Sequence, residues 1–304
     1  MRPVHFCGFF RHFNWRTLKK TFSRATERRL SGLSAEMAYN ATLALFPAIL
    51  AIVTAVGLFE DSLQFTLREK VSEYREIVPD LAWQLLRDFV ESITQRKNKS
   101  LFSISFVAAI WISSGALSVA MNALDQIHQI PRKVRRPYWK AKLISIILTM
   151  AAIALLVVAS FLVFISDLLM EAILAPNVTS LLLGIWHLIR WPVALAIVAL
   201  TFAFIYRFGV SSWEEGRPIL PGAMLAAFSW AGLSALFRLY VANFANYNKI
   251  YGAVGAVIVL MVWLHMSSLV MLIGDQLNAV VGEEMDKKAK RLAAIQAEEQ
   301  MKRS

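Results

Sequence analysis

Residues 253–281 read AVGAVIVLMVWLHMSSLVMLIGDQLNAVV, an apolar run long enough to cross a bilayer as a helix, for which about 20 residues suffice. Apolar residues make up 57% of the 304 positions, and the mean hydropathy is +0.53, which is high for a soluble domain of this size. Five further runs of this kind precede it: Met37–Phe59, Leu101–Leu124, Leu143–Ile165, Leu181–Tyr206 and Pro221–Asn243. The sequence therefore predicts an all-α polytopic membrane protein with six transmembrane helices.

The segments outside the spans divide the chain into three predicted parts. Residues 1–35 form a basic cytoplasmic arm, residues 36–281 the transmembrane domain with a long outer loop at 60–100, and residues 282–304 a helical cytoplasmic tail. Two segments repeat apolar residues at helical spacing and predict amphipathic surface helices: Trp15, Leu18, Phe22 and Ala25 in the arm, and Val71 to Ile93 in the loop, interrupted by Pro79. We expect both to anchor the protein to lipid, and partner binding is the alternative.

The distribution of charge predicts the topology. Lys and Arg concentrate in the arm, in the loops after the second and fourth spans and in the tail, which places both termini in the cytoplasm. The formal charge of +11 also raises nucleic acid as a partner. Because no aromatic stacking platform or Gly-rich phosphate loop accompanies the basic residues, we expect membrane lipids as the partner and no nucleic acid.

Polar residues inside the spans are the candidates for substrate binding or gating, because hydrocarbon offers them no water and they must find partners or a wet cavity. These candidates are Glu36, Asn40, Pro47, Arg190, Pro192, Arg238, His265, Asp275 and Asn278.

The first and fourth spans carry the predicted interruptions. Glu36 and Asn40 lie four residues apart and share a helix face, which we expect to point into the bundle. Pro47 and Pro192 fall eleven and twelve residues into spans that open two three-helix halves of opposite orientation, so broken helices around a central site are predicted. A structural bend is the alternative at Pro47.

The remaining ionisable residues are expected at different depths. Arg190 and Arg238 belong to the outer half, where they either extend to the head groups or form a site for an anion or a lipid phosphate. Asp275 is expected near the cytoplasmic end, level with Glu36. His265 is expected to form an interhelical hydrogen bond rather than to relay protons.

The polar residues 246–251, which precede the last span, predict the outer turn between the fifth and sixth helices. Tyr247 and Tyr251 suit a membrane interface there, and Gly252, Gly255 and Gly274 allow the last helix to approach a neighbour closely. Such faces pack within one chain or between chains, so the sequence leaves an oligomer open.

Two stretches carry a resemblance to a known family. AEMAYNATLALFPAILAIV at 35–53 and the segment Pro221–Ala279 resemble the YihY/virulence factor BrkB family, once labelled ribonuclease BN, and the likeness covers roughly residues 10–285. The resemblance implies a multi-pass protein of the bacterial inner membrane. Many members have Ala-Glu where this chain has Asp275 and Gln276, so the carboxylate is shifted by one position.

The ribonuclease label can be tested against the residues. His5, His12, His128, His187 and His265 are scattered without the HxHxDH spacing of a metal-dependent nuclease, and no P-loop, GxSxG or HExxH motif occurs. We therefore expect no metal, no cofactor and no enzyme activity. The favoured function is a transporter or flippase-like protein for a small solute or lipid-linked substrate. A non-transporting envelope or virulence-associated factor is the alternative, and an intramembrane enzyme ranks third.

Overall fold

The computed structural model describes residues 14–58, 99–164, 180–213, 217–243 and 245–303. Seven α-helices and no strands occur in these ranges, which confirms the predicted all-α class. Their bounds are α1 Trp15–Glu27, α2 Leu30–Leu58, α3 Lys99–Ile127, α4 Tyr138–Phe164, α5 Ser180–Gly209, α6 Leu220–Asn243 and α7 Ala245–Arg303. The helices from α2 to α7 are each long and apolar enough to cross a membrane.

The six long helices pack as a closed ring in chain order. Each of them contacts the next one along the chain, and α7 returns to pack against α2. Additional contacts join α3 to α5 and α7 across the ring, and α1 packs on α7 and α2 from outside it. Because consecutive helices run in opposite directions, α2, α4 and α6 begin at the end of the bundle where α3 and α5 finish.

We call this the basic end, because the connections that lie there, residues 128–137 and 210–219, carry Arg132, Lys133, Arg135, Arg136 and Arg217. The main apolar core also lies at this end and includes Leu124, Ile127, Tyr206 and Leu272, all of which are buried. Ile104, Leu188 and Ile258 lie far from this core and are more than 40% exposed, as lipid-facing side chains of a span are. Buried residues also occur far from the basic end, Ser105 and Ala109 among them.

Two non-glycine residues with positive φ shape this end. Arg29 (φ 54°) lies in the short turn from α1 into α2, and Gln129 (φ 55°) follows the end of α3. At the second site the Ile130 N–H donates to the Asp125 carbonyl at 2.9 Å, which closes the helix in the manner of a Schellman motif. This closure places His128 directly beside the C-terminus of α3.

The predicted turn at 246–251 is wrong. Tyr247, Tyr251, Gly252 and Gly255 all belong to α7, which begins at Ala245 and continues without interruption to Arg303. The polar residues therefore form the first turns of the helix. The same helix includes the predicted tail.

The predicted broken helices are also wrong, because α2 and α5 remain continuous through their prolines. Pro47 comes 17 residues after the start of α2, and Pro192 comes 17 residues before the end of α5. At 1.5 Å per residue both lie about 26 Å from the basic end. The two prolines therefore share one depth instead of occupying mirrored depths.

The structure does not describe residues 59–98. The predicted amphipathic stripe from Val71 to Ile93 lies outside the described residues, and it stays a prediction. Of the two predicted surface helices, α1 is described, and it packs on the bundle through Thr17, Thr21 and Ala25.

The helices α6 and α7 cross closely at two glycines, Gly222 and Gly274. A Cβ on Gly222 would lie 2.4 Å from the Gly274 carbonyl oxygen and 2.4 Å from the Asn278 amide. A Cβ on Gly274 would lie 2.7 Å from the Ala226 Cβ and 2.8 Å from the Gly222 oxygen. Since all four distances are far below ordinary van der Waals contact, the crossing needs glycine on both helices.

We predict that Gly222→Ala lowers the free energy of unfolding by about 1–3 kcal/mol, because the added methyl must displace backbone and a packed amide. Gly232→Ala is the matched control on the same helix, where no atom lies within 4 Å of the added Cβ. It should be neutral or stabilising by up to about 1 kcal/mol through helix propensity. Unfolding by SDS titration in mixed micelles measures both variants, and equal effects would contradict the close crossing.

Candidate functional site

A cluster of buried polar residues lies at the basic end, where the middle of α7 meets the ends of the other helices. Asp275, Gln276 and Asn278 on α7 are all essentially inaccessible to solvent. Asp125 and His128, at the end of α3, are also buried. This concentration of polar groups inside the core makes the cluster the candidate functional site.

Asp275, His128 and Arg217 form a hydrogen-bonded chain. Arg217 Nη1 lies 2.7 Å from His128 Nδ1, and His128 Nε2 lies 2.9 Å from Asp275 Oδ2. An arginine can only donate, so Nδ1 must accept and Nε2 must carry the proton that it donates to the carboxylate. His128 is therefore neutral here and connects a cation to a buried anion, with the Trp213 ring packed 5.5 Å away.

Arg28 joins the cluster from the turn between α1 and α2. Its Nη1 donates to the Ile127 carbonyl and to Gln276 Oε1, both at 2.7 Å. Burial lowers the pKa of Arg28 below its ordinary value, but a guanidinium starts high enough to stay charged. One cation therefore contacts both the end of α3 and the residue next to Asp275.

Side chains form hydrogen bonds with backbone groups of the two connections at the basic end and hold these connections in place. Asp125 accepts hydrogen bonds from the Ser211 N–H and hydroxyl, both at 2.7 Å. Arg136 donates to the carbonyls of Phe208, Gly209 and Val210, which end α5. A cation at a helix C-terminus also interacts favourably with the helix dipole.

Asn278 satisfies backbone groups at the start of α6 in the same way. Its Oδ1 accepts from the Gly222 N–H, and its Nδ2 donates to the Ile219 carbonyl, both at 2.9 Å. Ile219 offers no capping oxygen of its own, so a side chain from α7 satisfies the first turn of α6. Tyr206 binds the Met271 carbonyl nearby, which joins α5 to α7.

The other candidates on α2 and α7 lie apart from this cluster. Glu36 is exposed and does not point into the bundle, contrary to prediction, because the buried face of α2 runs through Ser34, Met37 and Ala38. Asn40 packs against Gly115 of α3, and its Nδ2 donates to the Glu36 carbonyl.

His265 is the remaining candidate on α7. Its Nδ1 lies 3.1 Å from the Ser34 hydroxyl, which makes it an interhelical hydrogen-bonding partner.

Arg190 and Arg238 do not come together with Asp275. Arg190 is half-buried in α5, two residues before Pro192, and Arg238 is exposed on α6, five residues from the end of that helix. The buried site therefore contains two of the predicted candidates, Asp275 and Asn278, with Gly274 in the adjoining helix crossing.

Sequence reasoning missed most of the other members of the cluster. Arg28, Asp125, His128 and Arg217 lie at the edges of the spans, where basic residues were attributed to topology alone. One pattern could have indicated the cluster: Asp125 and His128 lie one helical turn apart at the end of an apolar span, so they share a helix face.

Lys142 was also missed, because it was counted in a loop although it lies in α4. Its Nζ donates to the Trp111 carbonyl at 3.0 Å and contacts Ser114 Oγ at 2.7 Å, and it lies 4.6 Å from the centre of the Trp111 ring. It fastens α4 to α3.

The chemistry of the cluster is charge compensation and hydrogen bonding. Among the described residues, no three His, Cys, Asp or Glu side chains come close enough to hold a metal ion. The cluster joins α1, α3, α7 and both connections at the basic end, so a change of charge at His128 or Asp275 would reach all of them.

Comparison with known proteins assigns the family. The model of the family described as Virulence factor BrkB matches residues 21–299, which is most of the chain. The chain belongs to the BrkB family. This BrkB-family chain is 29% identical over 265 residues to the ribonuclease-like protein YfkH of Bacillus subtilis, covering 87% of this chain and 94% of YfkH.

Other relatives of this BrkB-family chain carry the name UPF0761 membrane protein. The protein from Aeromonas salmonicida is 24% identical over 294 residues, covering 93% of this chain and 94% of the relative. The protein from Pseudoalteromonas translucida is 25% identical over 271 residues, covering 86% and 84%. No solved structure matches the chain. The family and these names support a multi-pass membrane protein, as the six apolar helices do.

We predict that Asp275 and Arg217 are energetically coupled through His128. Asp275→Asn should lower the free energy of unfolding by about 1–3 kcal/mol, because His128 Nε2 loses a charged acceptor inside the core. In the double variant Asp275→Asn, Arg217→Gln, the loss of unfolding free energy should be smaller than the sum of the two single losses by about 0.5–3 kcal/mol. SDS titration of the four proteins gives the coupling energy.

The control cycle pairs Asp275→Asn with Arg238→Gln, because Arg238 is exposed in the half of the bundle away from the basic end. Those two effects should add to within about 0.5 kcal/mol. Additivity in the Asp275 and Arg217 cycle as well would refute the coupling.

Proposed function

We propose that this BrkB-family protein is a transporter or flippase-like protein for a small solute or lipid-linked substrate, and that the buried cluster closes the bundle at its basic end. The position of the buried charged cluster carries this proposal. The apolar core and the hydrogen-bonded chain of Arg217, His128 and Asp275 join the helices at one end of the bundle.

The chemistry of the closing cluster supports this function. A charged chain that contains His128 can be rearranged at a modest energetic cost, because each polar group can exchange its protein partner for water when the end opens. A purely apolar seal would have to expose hydrocarbon to water instead. Closure by hydrogen bonds and ion pairs is therefore suited to an end that opens and closes repeatedly.

Placement in the bacterial inner membrane with both termini in the cytoplasm is part of the same proposal. It is supported by the Lys and Arg residues in the arm and in the two connections at the basic end, because short cytoplasmic loops are enriched in Lys and Arg. The basic end would then be the cytoplasmic end, and the cluster would be the inner gate.

We also propose that the chain is not a ribonuclease, although its relative YfkH carries a ribonuclease-like name. The five histidines lack the spacing of a nuclease metal site, and the buried His128 is engaged by Asp275 and Arg217. Purified protein incubated with RNA and divalent metal should leave the RNA intact. Cleavage that Asp275→Asn abolishes would overturn this part of the proposal.

A ligand screen tests for a transported substrate. We predict that one member of a panel of anions, phospholipid head groups, nucleotides and sugar phosphates raises thermal stability, since a ligand at 100 times its Kd adds about 2.7 kcal/mol. Arg190→Gln should reduce the shift if the substrate is anionic, because Arg190 is a half-buried cation of the outer half. Arg238→Gln on the exposed face of α6 is the matched control.

Accessibility of Ser34 tests whether the basic end opens. Ser34 is fully buried four residues after the start of α2, and Ser31, one turn earlier, is exposed. In purified protein that carries Cys7→Ser, which removes the sole cysteine, Ser31→Cys should react at once with a polar maleimide. Ser34→Cys should react slowly with the same reagent. Adding Asp275→Asn should make this reaction faster, and the identified ligand should change its rate. A Ser34→Cys thiol that stays unreactive under all conditions would favour a static envelope factor.

A further inference from the structure

Helix α1 presents three distinct faces. Successive residues turn by about 100°, so Thr17, Thr21 and Ala25 fall on one side, and these are the buried residues of the helix. They pack on α7 and α2, and Asn14 caps the helix by accepting from the Thr17 N–H at 2.9 Å. The bundle therefore fixes the rotation of α1 about its own axis.

The second face is apolar and uncovered. Trp15 is 79% exposed and Phe22 is 53% exposed, with the half-buried Leu18 between them. This stripe directly adjoins the face that packs on the bundle. Because α1 leads through two residues into the membrane-spanning α2, the stripe lies where α2 enters the bilayer, and Trp is favoured at that level.

The third face is a shallow cleft lined by cations. Its lining residues all belong to α1: Arg16, Lys19, Lys20, Ser23, Arg24 and Glu27. Four basic side chains and one hydroxyl thus surround one carboxylate. Phosphate oxygens are the natural partners of the four cations, since Arg and Lys both bind phosphate. The Ser23 hydroxyl already donates to Glu27 Oε1 at 3.3 Å.

Two of these four cations also contact α7. Lys20 Nζ lies 2.6 Å from Glu284 Oε1 and 3.5 Å from Glu283, and Arg24 Nη1 binds Glu283. The hydrogen bond to Glu283 raises the pKa of Arg24 above its ordinary value. Arg16 and Lys19 are exposed, and no described acidic side chain pairs with them.

We propose that the cleft on α1 binds the phosphate of an anionic phospholipid head group, with the stripe of Trp15, Leu18 and Phe22 inserted beside it among the acyl chains. Complementary charge and the adjoining apolar stripe favour a lipid over a free phosphate, because only a lipid meets both faces at once. This binding site is independent of the transport proposal and would exist in a static protein as well.

The site has a consequence for the contact between α1 and α7. A head-group phosphate and the carboxylate of Glu283 compete for the same Arg24 guanidinium. Removing the carboxylate should therefore strengthen lipid binding, whereas removing Arg16 and Lys19 should weaken it. Nonspecific attraction between a basic protein and anionic lipid would respond to any lost cation in the same way.

The test uses the full chain in detergent micelles that contain increasing mole fractions of phosphatidylglycerol or phosphatidylcholine at constant ionic strength. Phosphatidylglycerol should raise the thermal unfolding midpoint, and phosphatidylcholine should not. The Arg16→Gln, Lys19→Gln double variant should need about fivefold more phosphatidylglycerol or more for half of the shift, because each cation near a lipid surface contributes favourably. Glu283→Gln should need less.

The matched control is Lys302→Gln, which removes an exposed cation near the far end of α7, where Lys302 pairs with Glu298. It should titrate like the unmodified protein. An unchanged titration in the double variant, or an equal loss in Lys302→Gln, would refute the site on α1, as would the absence of any shift. An equal shift with inorganic phosphate at the same concentration would show a free-phosphate site and overturn the assignment to lipid.

A second measurement applies if a variant folds poorly. Phosphatidylglycerol brominated on its acyl chains should quench part of the tryptophan fluorescence in the unmodified protein. Trp15→Phe should reduce that part without removing it, because bromine quenches rings that lie among the chains, and Trp111 and Trp191 are exposed on the spans as well. Equal quenching in both proteins would place Trp15 outside the bilayer and refute the insertion of the stripe.

Discussion

The helix ends that meet at the basic end must have their backbone hydrogen-bonding groups satisfied, because each helix leaves four N–H groups and four carbonyls without internal partners. In this protein, side chains from other elements supply the partners. Asn278 binds both sides of the first turn of α6, Arg136 binds the last carbonyls of α5, and Arg28 binds the last carbonyl of α3. Secondary structure and tertiary packing are therefore linked at the same atoms.

The basic residues at this end have two physical roles. Their concentration on alternate connections is the pattern that orients helices in a membrane. Arg28 and Arg136 show that the same charges also neutralise the partial negative charge of helix C-termini. Helix capping therefore accounts for part of the basic residues behind the formal charge of +11.

The basic end contains a buried carboxylate, that of Asp275. Asp275 is compensated through a neutral histidine, and His128 is held in one tautomer by Arg217. Such an arrangement tolerates rearrangement better than a close-packed apolar seal, since water can replace each lost partner. Under the proposed transport function, the basic end would therefore be the gate.

The all-α class and the six spans follow from local composition, since a run of about 20 apolar residues can bury its backbone groups in hydrocarbon only as a helix. The amphipathic period of α1 and the burial of Asp275 near one end of the last span could be predicted for the same reason. Helix limits were predicted less well: residues 246–251 are polar yet helical, because backbone hydrogen bonding continues through them into α7.

The partners in the buried cluster depend on distances that no local pattern encodes. His128 and Asp275 are 147 positions apart, and only the ring of helices places them 2.9 Å from each other. Glu36 and Asn40 share a side of α2 by spacing, yet packing against α3 and α7 leaves Glu36 exposed. The sequence by itself determined which segments cross the membrane, because burial of apolar surface is a local property. The tertiary structure decided which polar residues meet, because helix rotation and crossing depend on the neighbours of each helix.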